Sequence, residues 1–299
     1  MADAAAPSPL VLLAAAHLRI PARRMRALAR GDDGALRDWL ANESATRLAE
    51  ARRDARLAVA RLGELGARVV ALGDPTYPAG LLDLRDPPAF LIVRGSLPRA
   101  RWREGTAIVG TRSPGPDAEA FARELAGSGV AAPIVSGLAL GIDAAAHRGA
   151  LAAGVSTYAY VGHGFGATYP SEHRELEDAI VAAGGAILTE SMPDERVSRW
   201  SLVRRDRLQA AHAAAIVLVA SESDGGAMHA LAAAKRLDRP RFALEPPHDD
   251  TRTQRSTYSG NVLAIAEGAQ ALPRVVAEAR AIVASRSHAA TFSGGNVQS

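Results

Sequence analysis

Two short turns in the middle of the chain carry residue types suited to holding anions. The apolar run Thr106–Val109 ends at Gly110, Thr111 and Arg112, and a second run ends at Ser136 and Gly137 and leads through Gly141 to Asp143. A strand that turns through glycine into a helix leaves unpaired backbone N–H groups at the helix mouth, where the aligned peptide dipoles favour negative charge. Arg112 adds a fixed cation beside the first turn. Asp224-Gly225-Gly226-Ala227 opens a turn of the same kind, and Gly162 to Pro170 is a further glycine-rich loop. Between Arg196 and Arg207 lie five arginines, among them Arg204, Arg205 and Arg207, with Asp206 as the single acid and Trp200 in their midst. Guanidinium groups pair bidentately with phosphate, and a neighbouring aromatic ring offers a face for a base. The chemistry these residues suit is binding of a phosphate-bearing polyanion. The candidate contacts are Gly110, Thr111, Arg112, Ser136, Gly137, Gly141, Arg204, Arg205, Arg207, Gly225 and Gly226. Asp143 reads as a helix cap, and His163 as a plain loop residue.

Other chemistries find no support. The glycine turns do not match G-x-G-x-x-G, and no G-x-x-x-x-G-K-[ST] loop occurs, which argues against nicotinamide cofactors and P-loop nucleotide hydrolysis. The absence of cysteine excludes disulfides and cysteine-ligated metal centres. No catalytic residue, metal ligand or cofactor is assigned.

The turns need a scaffold that brings them to one edge, and the pattern around them supplies it. Strands are expected at Ala67–Leu72, Ala89–Val93, Ala107–Val109, Pro133–Val135, Thr157–Val161, Ala186–Thr189, Ala215–Ala220 and Arg241–Leu244. Helices are expected at Asp117–Ser128, Asp143–Ala153, Glu172–Ala183, Leu202–Ala213 and Ala227–Leu237. Continuous apolar strands alternating with amphipathic helices predict a doubly wound α/β domain with a mainly parallel sheet. Ligands of such sheets sit beyond the carboxyl ends of the strands, where the glycine turns fall.

Residues 1–66 read as a small helical domain, with apolar spacing in Leu10–Leu18, Met25–Leu28, Leu36–Leu40 and Leu57–Leu62. Residues 67–272 form the α/β domain. Glu245–Gly260 is polar and turn-prone, Asn261–Ser285 returns to helical spacing, and Thr291–Ser299 reads as a frayed tail within the last segment, 273–299.

With 48% hydrophobic residues in 299, the chain can bury a sizeable core, and its formal net charge of +3 does not by itself announce a nucleic-acid binder. Residues 1–100 hold 15 arginines against 11 acids, whereas the remainder is nearly neutral apart from the Arg196–Arg207 cluster. No apolar run approaches the roughly 20 residues of a membrane span, and no signal-peptide pattern opens the chain, so a cytoplasmic location is expected.

Taken in order, the segments resemble the DprA (Smf, DNA-processing) family. The likeness rests on Tyr77-Pro78, Asp86-Pro-Pro88, Ile108 to Arg112, Val135 to Ala139, Gly141 to Ala150 and Tyr169-Pro170. It continues through Glu190, Arg204-Arg205-x-Arg207 and Gly225-Gly226 to Gly260-Asn261 and Glu267 to Ala269. The resemblance implies an extended Rossmann fold, a non-enzymatic function, and single-stranded DNA held in a positively charged pocket. It also implies a homodimer and hand-over of DNA to the RecA recombinase during natural transformation. Arg112 and the arginines at 204, 205 and 207 would hold backbone phosphates. The amino-terminal helices resemble a sterile-alpha-motif-like domain, and the winged-helix module of many members is not expected.

The chain departs from the family pattern at four places. Leu140 stands where a basic residue is frequent, Asp206 where Asn is usual, Leu202-Val203 where Phe-Pro is common, and Gly226-Ala227 where a Gly-Ser turn is typical. Two of these changes make the pocket less positive, which weakens or redirects binding. Alternative readings are a small-nucleotide sensor and a phosphoribohydrolase acting on nucleoside monophosphates. The latter has a Pro-Gly-Gly-x-Gly-Thr loop followed by a carboxylate, whereas Asp224 to Ala230 here has neither the Thr nor the Glu.

Overall fold

The computed structural model describes residues 7–32, 34, 40–98, 105–130, 132–247 and 256–292. The expected helical stretch Leu36–Leu40 lies outside them but for Leu40, and the expected tail from Thr291 lies outside them but for its first two residues.

Among the described residues, nine strands make one sheet. They are β1 (Ala67–Ala71), β2 (Phe90–Gly95), β3 (Thr106–Val109), β4 (Ile134–Ser136), β5 (Thr157–Val161), β6 (Ala186–Thr189), β7 (Ala215–Leu218), β8 (Arg241–Leu244) and β9 (Gln270–Leu272). Their spatial order is β1-β2-β6-β5-β4-β3-β7-β8-β9. From β6 to β9 the pairings are parallel, and β1 and β2 join antiparallel at one edge. The chain steps outward from β3 through β4, β5 and β6, then crosses back to β7 on the other side. The order therefore reverses between β3 and β7, where doubly wound sheets place their ligands.

Helices cover both faces: α1 (Pro9–His17), α2 (Ala22–Ala29), α3 (Ala45–Glu64), α4 (Pro116–Gly127), α5 (Ile142–Ala152), α6 (Arg174–Ala182), α7 (Arg199–His212), α8 (Ala227–Arg236), α9 (Ser259–Ala266) and α10 (Val276–Phe292). Side chains of a strand alternate between faces. Ala107 and Val109 of β3 and Ile216 and Leu218 of β7 enter one hydrophobic cluster with Leu208 of α7 and Leu231 of α8. Ile108 and Val217 enter the other, with Phe121 of α4, Ala145 of α5 and Val283 of α10. The first cluster also takes in Leu12 and Leu28 of the amino-terminal helices together with Val70 and Leu91 of β1 and β2.

The expected strands all form, with ends displaced by one or two residues. The departure is β9, which interrupts the continuous helical spacing expected over Asn261–Ser285 and pairs with β8. A three-residue strand is too short to show the alternation that identifies strands in a sequence. Among the described residues, no helix is long and apolar enough to cross a membrane.

Candidate functional site

The loops leaving β3, β4 and β7 are stitched together at the point where the strand order reverses. Thr111 N–H donates to Ala220 O at 2.7 Å, and Ile142 N–H donates to Thr111 O at 3.2 Å. These approaches require glycine. A Cβ on Gly141, whose φ is 74°, would overlap Thr111 O, and one on Gly110 would stand 2.6 Å from Ile142 Cγ1. Asn261, fully buried at the start of α9, fixes the β7 side. Its Oδ1 accepts from Ser221 N–H at 3.0 Å, and its Nδ2 donates to Val219 O at 3.0 Å and to Leu244 O at 2.9 Å.

A cavity of about 680 Å3 opens between these loops and α7, a size usual for small-molecule sites. Of the candidate residues, Gly110, Thr111, Arg112, Arg205, Gly225 and Gly226 line it. Gly226 caps α8 without a side-chain hydrogen bond, and a Cβ placed there would meet nothing within 4 Å. Its backbone is open to a ligand, with the positive end of α8 behind it. Gly141 caps α5, likewise without a side-chain bond. Asp143 is not that cap. It sits inside the first turn, and its carboxylate accepts from Ala139 N–H of the preceding loop at 3.4 Å. Ser136 is fully buried and donates to Ile108 O at 2.7 Å, so it lies beneath the cavity and not in its wall.

Arg205 is a strut as much as a wall. It is 7% exposed, and its Nη1 donates to the carbonyls of Gly137 and Tyr160, the latter at 2.7 Å. The guanidinium occupies the space where a Cβ on Gly137 would be, which is why position 137 carries no side chain. Its Nε lies 2.9 Å from Asp206 Oδ1 and its Nη2 4.0 Å from Asp143 Oδ2. Burial pushes both carboxyls up against the pull of Arg205, and Asp206, with Asp143 adding to the effect, reaches about 6.

Arg204 and Arg207 point elsewhere. On a helix, residues three apart share a face, and the residue between them turns away from it. Both line a separate groove of about 370 Å3 with Arg26, Asp86 and Phe90. There they close on Glu190: Arg207 Nη2 lies 3.0 and 3.2 Å from its two oxygens, and Arg204 Nε lies 3.4 Å away. Burial raises the Glu190 carboxyl although Arg207 and Arg204 draw it down.

Several lining residues were not singled out from the sequence: Arg199, Gln209, His229 and the acid Glu222. Arg199 belonged to the arginine cluster, but nothing local distinguished it from its neighbours. The lining holds three arginines, Arg112, Arg199 and Arg205, against four carboxylates, Asp143, Asp206, Glu222 and Asp224. Arg205 is held by two of those acids. Arg112 and Arg199 are exposed and form no ion pair among the described residues. Trp200, next to Arg199, is 73% exposed. Among the described residues, no group of three or more His, Cys, Asp or Glu side chains is placed to hold a metal ion.

The family model of DNA recombination-mediator protein A matches residues 68–284, the whole sheet with its cavity. The chain belongs to this family. Among curated family members, Protein Smf of Synechocystis is 33% identical over 176 residues, 57% of this chain and 44% of that protein. The DNA processing protein DprA of Bacillus subtilis is 28% identical over 185 residues, 60% of this chain and 61% of its own. The match thus spans about half the length of these relatives. The putative DprA of Mycobacterium tuberculosis is 40% identical over 144 residues, 47% of this chain and 36% of that protein. In three dimensions the chain is similar to DprA of Streptococcus pneumoniae, with a TM-score of 0.64 and 23% identity over 92% of this chain and 94% of that one. It is also similar to DNA processing protein A of Helicobacter pylori, solved for its single-stranded DNA binding mode, with a TM-score of 0.60 and 23% identity over 73% of this chain and 94% of that one. Both share the recombination-mediator fold.

Proposed function

We propose that this recombination-mediator chain binds single-stranded DNA without catalysis, at the cavity between β3 and β7. One observation carries the reading: Arg112 and Arg199, unpaired among the described residues, share a cavity with the open backbone of Gly226 at the mouth of α8. Family membership and the single-stranded DNA binding of the H. pylori protein support it. Trp200 beside Arg199 offers an exposed ring to an unpaired base, a contact that duplex stacking denies. Gly110, Thr111, Arg112, Gly225 and Gly226 are the contacts we retain at the phosphates. Arg205 forms part of the wall, and Ser136, Gly137 and Gly141 support it from behind. In this proposal Arg204 and Arg207 hold Glu190 and make no DNA contact.

Electrophoretic mobility shift with single- and double-stranded oligonucleotides across a salt series tests the proposal. Two guanidinium–phosphate contacts give a slope of log affinity against log salt near −1.4, at roughly −0.7 per contact on single strands. Equal affinity for both forms, or binding indifferent to salt, would refute it. The same proposal includes a cytoplasmic homodimer that passes DNA to RecA, checked by light scattering and by co-purification with that recombinase. It also divides the chain into a helical unit to residue 66, a DNA-binding unit over 67–272 and a carboxy-terminal helix.

A further inference from the structure

The amino-terminal helices carry positive charge that the cavity does not use. Arg19, Arg23, Arg24, Arg26 and Arg30 all fall between residues 19 and 30, a stretch without a single acid. Helix α3 of the same unit interleaves its arginines with acids: Arg47 pairs with Glu43 at 2.7 Å, Arg53 with Asp54 at 3.2 Å and Arg61 with Glu64 at 2.9 Å. On α2 and its flanks, Arg19, Arg23, Arg26 and Arg30 form no ion pair among the described residues.

Helix geometry gathers three of these cations. Met25, Leu28 and Ala29 are the buried residues of α2 and fasten it to the core. Arg23, Arg26 and Arg30, spaced three and four apart, share one stripe that lies off that buried face. Arg23 and Arg30 are exposed, and Arg26 is half-buried in the groove that Arg204 and Arg207 also line. The acids of that groove are already engaged, Glu190 by Arg204 and Arg207, and Asp86 by Arg207 at 3.8 Å. Asp32, the next acid in the chain, accepts from Gly34 N–H at 3.1 Å.

What the stripe lacks identifies its ligand. A protein partner needs an apolar or aromatic anchor at the centre of its interface, and no large apolar side chain is exposed between residues 19 and 30. The same stretch has no aromatic ring on which an unpaired base could stack. Charge without an anchor or a ring suits a phosphate backbone, and duplex DNA releases more counterion per contact than a single strand does. Seven helical residues span about 10 Å, over which one strand of a duplex presents about three phosphates, one for each arginine. We propose that α2 is a second DNA-binding surface, which takes duplex DNA by its backbone and without regard to base sequence. Helix α7 stands between the two sites: its Arg199 and Arg205 line the cavity, and its Arg204 and Arg207 line the groove that Arg26 shares. Duplex binding here is weaker than single-strand binding in the cavity, which gains a stacked base.

Fluorescence anisotropy with labelled blunt duplexes, titrated with the full chain across a salt series, tests the assignment. The slope of log affinity against log salt is expected near −2.7, three contacts at roughly −0.9 each on duplex, and duplexes of A·T or of G·C pairs alone should bind alike. Replacing Arg23, Arg26 and Arg30 together with Gln should lower duplex affinity by at least about tenfold and flatten the slope, while single-strand affinity stays within about twofold. Unchanged single-strand affinity shows that this variant folds. Lys at all three positions should keep the slope, because a backbone phosphate accepts either cation. Arg112→Ala should do the reverse, weakening single-strand binding and leaving duplex binding intact. Absence of duplex binding at low salt, or a duplex slope unchanged in the Gln variant, overturns the proposal. A poly-glutamate peptide that binds α2 where duplex does not would assign the surface to acidic protein and overturn it as well. Duplex binding that depends on α2 in a chain that fails to bind single strands supports this proposal and refutes the reading of the cavity alone.

Discussion

Helix α7 sends arginines into two regions that use them in opposite ways. Toward the groove beside the amino-terminal helices, Arg204 and Arg207 share Glu190. Toward the cavity at the reversal of strand order, Arg199 has no acidic partner among the described residues, nor has Arg112 across the sheet edge, while Arg205 is sunk between two carboxylates and two carbonyls. A guanidinium can recruit an anion only if the protein has not already supplied one. What the cavity offers an anion therefore comes from Arg112 and Arg199 and from backbone N–H groups, set against the carboxylates of Glu222 and Asp224 in the same lining. The arginine count of the segment overstates it.

The largest expected effect separates strut from contact. Arg205→Ala leaves Asp143 and Asp206 buried without their cation, and loss of one partner of such a cluster costs about 3–5 kcal/mol. Urea denaturation measures it, and a loss under about 1 kcal/mol would break the distinction. Arg205→Lys recovers little, because an ammonium cannot span the two carbonyls and the carboxylate as the planar fork does.

Asp206 sharpens the same contrast through pH. Its folded-state pKa of about 6 lies above the ordinary 3.8, so the folded protein holds this proton more tightly than the unfolded chain. The associated stability is fully present below pH 4 and is lost as pH rises through 6. Asp206→Asn does not titrate. Its stability relative to the parent chain should therefore rise by about 2 kcal/mol from pH 4.5 to pH 7.5, since each tenfold difference in proton affinity between the folded and unfolded states is worth roughly 1.4 kcal/mol. Paired denaturation curves at the two pH values check this, and a difference that does not grow with pH contradicts the buried-carboxylate account.

Arg112→Ala tests the contact side. Stability should change by less than about 0.5 kcal/mol, as for an exposed side chain without partners. Affinity for single-stranded DNA should fall by about fivefold, and the salt slope should shrink by about 0.7, one phosphate contact. Titrations at several salt concentrations measure both. A stability loss without a change in slope would make Arg112 structural.

The parallel sheet was legible because its apolar strands are flanked by glycine turns, as at Val109–Gly110 and Val135–Gly137. The cavity edge followed, because doubly wound sheets place loops such as Gly110–Arg112 and Asp224–Ala227 on one side. Strand β9 was not legible, since Gln270-Ala-Leu272 is too short to show a period. Nor were the fates of the arginines. Helical spacing already puts Arg204 and Arg207 on one face and turns Arg205 off it; what could not be read is what each face meets, Glu190 at 17 residues' remove from Arg207 and Asp143 at 62 from Arg205. Asn261 acts over a similar distance, tying the β7 and β8 ends from a helix that follows them both.

The smallest effect is expected in the groove, and it tests the comparison itself. Replacing Arg204, Arg207 and Glu190 together with Gln removes two cations and the acid they share, leaving the region near neutral and its volume nearly constant. If these arginines are spent on Glu190, the triple variant should bind single-stranded DNA within about twofold of the parent chain, with an unchanged salt slope. If the strand instead runs from the cavity around α7, each arginine lost should lower the slope by about 0.7, and affinity should fall as far as it does in Arg112→Ala. The slope decides between these outcomes better than affinity alone, because it counts the phosphates neutralised and is insensitive to a general loosening of α7.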